Sequence, residues 1–125
     1  MNHLAFFEIQ STNPQREVDF YKSVFGWNFS KDENLPIEYY RFEGAGVGGA
    51  ILKRPTDTPP TMQGTNAFNC SFQVEDFDTC AKVIVEKGGQ IAMPKFAIPG
   101  QSYNGYFLDP DNNVFGIFEM DEEAK

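Results

Sequence analysis

The residues of this chain that could do chemistry lie on two short alternating stretches. Near the start, Phe6-Phe7-Glu8-Ile9-Gln10 puts a carboxylate and an amide at every second position, and 63 residues later Asn69-Cys70-Ser71-Phe72-Gln73 repeats the pattern with amides and a hydroxyl. Successive side chains of a strand point to opposite faces. Glu8 and Gln10 therefore share a face with Phe6, and Asn69, Ser71 and Gln73 share a face of the counterpart strand. A carboxylate among aromatic neighbours has its pKa raised by desolvation, which suits proton transfer. The same carboxylate can instead be a hydrogen-bonded brace between strands. Glu8 is the catalytic candidate, with both roles open.

Other reactive residues offer less. His3 is the single histidine, and its parity sets it with Ala5 and Phe7, so it reads as a strand end. With one histidine there is no Ser, His, Asp set for hydrolysis. Cys70 on a predicted strand and Cys80 on a predicted helix lack the spacing of a metal pair and read as two small buried hydrophobes. GAGVGG, residues 44–49, stands between two strands and matches no nucleotide-binding fingerprint; its glycines relieve crowding or bend the strand.

The elements that must position Glu8 and its counterparts form a repeat. FFEIQSTNPQREVDFYKSVFGW from Phe6 and NCSFQVEDFDTCAKVIVEKGGQ from Asn69 each run from an alternating strand to a cap, Asn13 or Asp76, then to an amphipathic helix and a glycine stop. Pro14 suits the first helical position, where its missing N–H has no partner to lose. Val18, Tyr21 and Phe25 make a buried stripe on the first helix, ended by Gly26; Phe77, Ala81 and Ile84 make it on the second, ended by Gly88 and Gly89. Three strands follow each helix: 27–30, 37–42 and 47–53, then 90–94, 105–108 and 114–120. The last two are joined by Asp109-Pro110-Asp111-Asn112-Asn113, a strong turn signal. Each half thus reads β-α-β-β-β, an α+β arrangement, with module one at about 3–53, a Pro- and Thr-rich extended connector at 54–66 and module two at about 67–121, the whole forming one domain over 1–125. The tail Asp121 to Lys125 reads as a solvated end.

Composition narrows the partners. With 41% hydrophobic and 15% aromatic residues, thirteen of them Phe, the chain can fill a core. A net charge of -8 repels nucleic acid and anionic membrane surfaces. No stretch reaches the roughly 20 apolar residues of a membrane span, and no signal-peptide pattern opens the chain, so a cytoplasmic location is expected. Exposed sheet edges and helix faces favour a homodimer, the commonest symmetric solution.

With two βαβββ halves, a helix ending FYKSVFGW and a final hairpin YFLDPDNNVFGIFE, the chain resembles the vicinal oxygen chelate superfamily, which includes glyoxalases, bleomycin-resistance proteins and extradiol dioxygenases. The resemblance runs from about His3 to Met120. It implies that each module curls a four-stranded mixed sheet and that the two enclose a central cleft. In the enzymes of that group a divalent metal sits in such a cleft, on His, Gln or Glu side chains of the first and last strand of each module. Counting from caps and turns puts those positions at Phe6, Gly49, Asn69 and Gly116, none of which is a good ligand. His3 and Glu119 each lie three residues from an expected position and on the wrong face. No metal and no other cofactor is therefore expected. The ligand-binding residues implied are Phe6, Glu8, Gln10, Ile51, Asn69, Ser71, Gln73 and Phe118, with tyrosines from Tyr39, Tyr40, Tyr103 and Tyr106 completing the walls.

The expected function is binding of a small organic molecule in that cleft, as in glyoxalase-like and bleomycin-resistance proteins, without the usual metal. The alternative is a glyoxalase-like lyase, isomerase or dioxygenase that uses Glu8 or an unorthodox metal site. A third class, a purely structural module, requires the aromatic residues to fill the cleft completely.

Overall fold

Both helices begin and end where their capping chemistry stands. In the computed structural model, which describes residues 3–54 and 68–125, strand β1 (Phe6–Ser11) leads into helix α1 (Pro14–Phe25). The Asn13 side chain accepts the Arg16 backbone N–H at 3.2 Å, and Gly26 closes the helix in the left-handed region at φ 72°, its N–H donating to the Lys22 carbonyl. Strands β2 (Asn28–Lys31), β3 (Tyr39–Glu43) and β4 (Gly48–Lys53) complete the first module. The second runs β5 (Ser71–Gln73), α2 (Phe77–Glu86), β6 (Gln90–Ile98), β7 (Ser102–Leu108) and β8 (Val114–Met120). Helix α2 is capped twice: Asp76 accepts the Thr79 N–H at 3.0 Å, and Glu119, reaching over from β8, accepts the Phe77 N–H at 2.7 Å. The hydrogen bond from Thr79 holds the Asp76 carboxyl below its ordinary pKa.

The chain divides into two compact units, Met1–Pro59 and Pro60–Lys125. Each holds one four-stranded mixed sheet, ordered β1-β4-β3-β2 in the first and β5-β8-β7-β6 in the second. In both, the first strand lies parallel to the last and the other pairings are antiparallel. A parallel pair needs a crossover of a dozen or more residues, which the helix and two strands supply. The expected α+β fold of two βαβββ modules is therefore present.

One face of each sheet packs on its helix. In the first unit Trp27 is the hub, its ring 4.7 Å from Phe42 and 5.2 Å from Tyr21 of α1, nearly parallel to the latter, with Phe7 edge-on at 6.3 Å. In the second, Phe77 of α2 meets Phe107 at 6.2 Å, and Phe107 meets Phe115 at 5.9 Å. Ile51, Ile84 and Ile117 are buried with these rings. Desolvation raises both thiols, Cys80 to about 11.

Several expectations are corrected. Strand β3 starts at Tyr39, two residues later than the alternation predicts, and Ile37 is exposed. Strand β6 continues past Pro94 to Ile98, because register shifts between Ile91 and Met93 and between Met93 and Phe96 leave the proline without a ladder partner. Strand β7 begins at Ser102. Strand β5 is only three residues long, and Phe68 before it is fully exposed although alternation sets it on the face of Cys70 and Phe72. The tail is not simply solvated: Ala124 is buried, and its carbonyl accepts the Gly100 N–H at 2.9 Å. The connector falls outside the described residues, apart from Arg54.

The turn glycines and the strand glycines differ in purpose. Gly44 and Gly46 have positive φ, whereas a Cβ at Gly49 would collide with the Phe42 ring and come 2.6 Å from the Phe7 carbonyl oxygen. At neighbouring Gly48 the nearest atom would be a Phe6 ring carbon at 3.7 Å, an ordinary contact. Gly49→Ala is therefore expected to lower the urea-unfolding free energy by about 1–3 kcal/mol, the usual cost of overpacking. Gly48→Ala should stay within about 0.5 kcal/mol of the parent. Equal effects at the two positions would contradict the β1–β4 register.

Candidate ligand-binding site

The sheet face turned away from α1 carries the polar residues of β1, and the ladder fixes their neighbours. Residues opposite one another on adjacent strands point to the same face. Glu8 stands opposite Ala50, Ala50 opposite Arg41 and Arg41 opposite Ser30, giving one row across all four strands. In the next row Gln10 stands opposite Leu52 and Leu52 opposite Tyr39. Ala50, Leu52 and Tyr39 form a buried cluster under this face, at 0%, 7% and 8% exposure. Glu8 and Gln10 are exposed above it, and Phe6 at the edge is 43% exposed.

Glu8 has a defined partner. The Tyr39 hydroxyl donates to Glu8 Oε2 at 2.8 Å. The Tyr39 phenol is held above its ordinary pKa, first by burial and then by the hydrogen bond and negative charge of Glu8, against the opposing effect of Arg41. Arg41 Cζ lies 5.1 Å from the centre of the Tyr39 ring, and Arg41 Nε donates to Asp32 Oδ2 at 3.1 Å. Neither Tyr39 nor Arg41 was singled out as a Glu8 partner by sequence. Alternation along Tyr39-Tyr40-Arg41-Phe42 puts the two on one face, but only the register says that it is the face of Glu8.

In the second unit the face turned away from α2 carries Ser71 opposite Gly116, Gly116 opposite Tyr106, Gln73 opposite Phe118 and Phe118 opposite Asn104. Asn104 Nδ2 donates to Ser102 Oγ at 2.8 Å, and the Tyr106 ring lies 6.3 Å from Phe96. Asn69 precedes β5 and is exposed, as are Ser71 and Gln73, while Phe118 is half-buried. Ser71, Gln73 and Phe118 are thus brought together, as Phe6, Glu8 and Gln10 are in the first unit. Ile51 is not. It stands opposite Ile9, has no exposed surface and belongs to the helix-facing core. The wall expected of it is supplied by Ala50 and Leu52, one position to either side. Tyr40 and Tyr103 share a face with Ile51 and Glu119 respectively, so of the four tyrosines only Tyr39 and Tyr106 stand on the polar faces.

The register also corrects one implied metal position. Gly116 is opposite Ser71, and the residue opposite Glu8, the repeat counterpart of Ser71, is Ala50; Gly49 points toward α1. The four positions therefore read Phe6, Ala50, Asn69 and Gly116. A ring, a methyl group, a neutral amide and a hydrogen atom do not fit a divalent ion, which needs several carboxylate, imidazole or thiolate donors. Over Gly116 the space a side chain would take is closed by Ser71 Oγ and by Tyr106 ring carbons at 3.1 and 3.2 Å. Among the described residues no three His, Cys, Asp or Glu side chains gather into a cluster. Glu119, which faces α2, serves as its cap, and His3 is an exposed residue before β1.

Residues 1–117 match the family model of the Glyoxalase/Bleomycin resistance protein/Dioxygenase superfamily, and the chain belongs to that superfamily. Among curated proteins it is 28% identical over 116 residues to "Putative glyoxylase CFP32" of Mycobacterium bovis and of Mycobacterium tuberculosis, covering 90% of this chain and 43% of theirs. It thus spans less than half the length of those relatives. Among solved structures, a Glu-to-Gln mutant of the fosfomycin resistance protein FosX from Listeria monocytogenes, complexed with manganese(II) and 1S,2S-dihydroxypropylphosphonic acid, has a TM-score of 0.77 at 16% identity, covering 97% of this chain and 94% of that one. FosX from Mesorhizobium loti gives 0.71 at 20% identity over 94% and 90%, and the hypothetical protein SA1046 from S. aureus gives 0.72 at 16% over 95% and 98%. At such identities these structures speak to the fold alone. Among the described residues no helix is long and apolar enough to cross a membrane.

The raised Tyr39 pKa has a measurable sign. The folded state binds the phenolic proton more tightly than the unfolded chain does, so the stabilisation is fully present below about pH 10 and is lost as the pH rises through the folded value. Absorbance of phenolate near 295 nm should show a component titrating above the ordinary range that disappears in Tyr39→Phe. Glu8→Gln should move that component back toward the ordinary value while burial keeps it somewhat high. A Tyr39 that titrates normally in the folded protein would rule out the hydrogen bond.

Proposed function

We propose that this chain binds a small organic molecule on the polar sheet faces of its modules, with Glu8 and Tyr39 as the polar anchor, and that it does so without the divalent metal of its superfamily. The observation that carries the reading is the Tyr39–Glu8 hydrogen bond at 2.8 Å over the buried floor of Ala50 and Leu52. It orients a carboxylate from the side and leaves Oε1 to accept from a ligand. Phe6 offers an apolar surface beside it, and Gln10 a further amide. Asn69, Ser71, Gln73 and Phe118 offer the same mixture, amides and a hydroxyl beside a ring, in the second module. Mixed apolar and polar surfaces of this kind suit an oxygenated or aromatic molecule. A structure of the same fold, that of FosX, was solved with a small phosphonic acid.

The same hydrogen bond favours a second reading, in which Glu8 acts as a base in a lyase- or isomerase-type reaction and Tyr39 orients it. The relatives described as putative glyoxylases lend it support. The two readings part in the Glu8→Gln variant, which keeps an acceptor for the Tyr39 hydroxyl. If Glu8 contacts ligand, affinity within a panel of aromatic and oxygenated molecules should change by about 1–3 kcal/mol with the melting temperature little altered. A lowered melting temperature with unchanged binding makes Glu8 a brace only. Turnover abolished at unchanged affinity makes it a catalytic residue.

Metal independence is tested separately. Protein purified without chelator and without a histidine tag is expected to carry no stoichiometric zinc, nickel, iron or manganese. One metal per chain, lost on substituting Glu8, would reverse this part of the proposal. A homodimer in the cytoplasm is the working form we assign; light scattering that gives the mass of one chain at high concentration counts against it.

A further inference from the structure

The row across the first sheet carries more than a hydrogen-bonding carboxylate, because a cation stands opposite it. Glu8 and Arg41 flank Ala50 on one face, two strands apart, on the order of 10 Å between their Cα atoms at about 4.8 Å per strand. The residue between them is alanine, completely buried in a cluster with Tyr39, whose side chain crosses β4 to reach Glu8, so the surface between the two charges is formed by the Tyr39 side chain. The two charges do not neutralise each other. Glu8 Oε2 is occupied by the Tyr39 hydroxyl, and Arg41 is fixed by Asp32 at Nε and by stacking on the Tyr39 ring. Tyr39 thus holds both ends, one by its hydroxyl and one by its face. Glu8 Oε1 and the terminal nitrogens of Arg41 remain available among the described residues, and the Arg41 side chain is 51% exposed. A planar guanidinium with its terminal nitrogens free is suited to an oxyanion.

Resting on the reading of this face as a ligand site, the geometry points to a small organic acid that carries a hydroxyl or amino group close to its carboxylate. The carboxylate pairs with Arg41, and the hydroxyl or amino group donates to Glu8 Oε1, which also keeps the two anionic groups apart. An aromatic or aliphatic substituent lies toward Phe6, at the exposed edge of the same face. Arg41 is then the residue that selects for the acid, and Glu8 the one that selects for the neighbouring donor. The second unit lacks this pair: Ser71, Gly116 and Tyr106 occupy the row where the first unit has Glu8, Ala50 and Arg41.

The test uses the full chain labelled with nitrogen-15 and three probes at up to about 10 mM, a range that reaches weak ligands. They are mandelate, which has acid, hydroxyl and ring; phenylacetate, which lacks the hydroxyl; and methyl mandelate, which lacks the charge. Mandelate should shift the amides of residues 48–52 and the Arg41 Nε–H saturably, with the other two at least roughly tenfold weaker. Arg41→Gln should reduce mandelate to the level of its methyl ester, Arg41→Lys should restore part of the difference, and Glu8→Gln should erase the preference over phenylacetate. Wild-type mandelate binding by a folded Arg41→Gln protein overturns the inference, as does equal binding of acid and ester. If mandelate is silent while a neutral aromatic molecule shifts the same amides, the ligand class is wrong and the binding site stands. If no compound of the wider panel shifts that face, both readings fail.

Discussion

The parallel ladder between the first and last strand of each unit is the constraint on which the rest of the molecule depends. Because side chains alternate, displacing β1 against β4 by one residue would bring Glu8 opposite a residue of the helix-facing core. The register is held from both sides. On the helix side, Gly49 leaves room for the Phe42 ring and the Phe7 carbonyl, a fit available at one glycine and not at its neighbour. On the other side, Glu8 falls opposite Ala50, the only arrangement in which a short, buried side chain lies between the carboxylate and Arg41. At the strand ends, Lys53 Nζ donates to the Thr12 carbonyl in the first unit, and Glu119 accepts the Phe77 N–H in the second. Opposite charges at equivalent ladder positions thus tie each last strand to the chain at the start of its helix, just before α1 and at the first residue of α2.

The two copies of the repeat have kept the same scaffold and diverged on the face the scaffold presents. Where the first unit has Glu8, Tyr39 and Arg41, the second has Ser71, Asn104 and Tyr106 at equivalent ladder positions. One row is charged and braced by a phenol; the other is neutral, with a ring stacked on Phe96. Helix-side positions changed less in character: Phe42 and Ile51 correspond to Phe107 and Ile117, and Phe7 to the small, weakly polar Cys70. Packing restricts volume and polarity on that side, whereas the opposite face tolerates any side chain that does not crowd its neighbours.

Superfamily membership does not by itself carry a chemistry with it. Folds host many functions, and function is argued from the site. Donor groups are missing at Phe6, Ala50 and Gly116, and at Gly116 the ring of Tyr106 and the Ser71 hydroxyl close the space a ligating side chain would need. A carboxylate introduced there would have to displace an aromatic ring already in van der Waals contact. The polar groups that remain, Glu8 foremost, are exposed on the sheet faces turned away from the helices.

Much of the scaffold is written locally and was legible in the sequence. Asn13 and Asp76 cap their helices, Gly26 stops one, and the alternation of β1 assigns Glu8 to the face away from α1, because caps and periodicity act over a few residues. What the sequence by itself left open is everything that depends on which residue stands opposite which across strands. Alternation gives a residue's face only relative to its own strand, so sequence alone does not tell that Ile51 stands opposite Ile9 and not beside Glu8, or that Ala50 and not Gly49 is the counterpart of Gly116. Tyr39 and Arg41 lie more than thirty residues from Glu8 in the chain. Their partnership with it exists only once β4 is laid between β1 and β3, since a cross-strand neighbour is fixed by long-range hydrogen-bond register, and no local pattern encodes that.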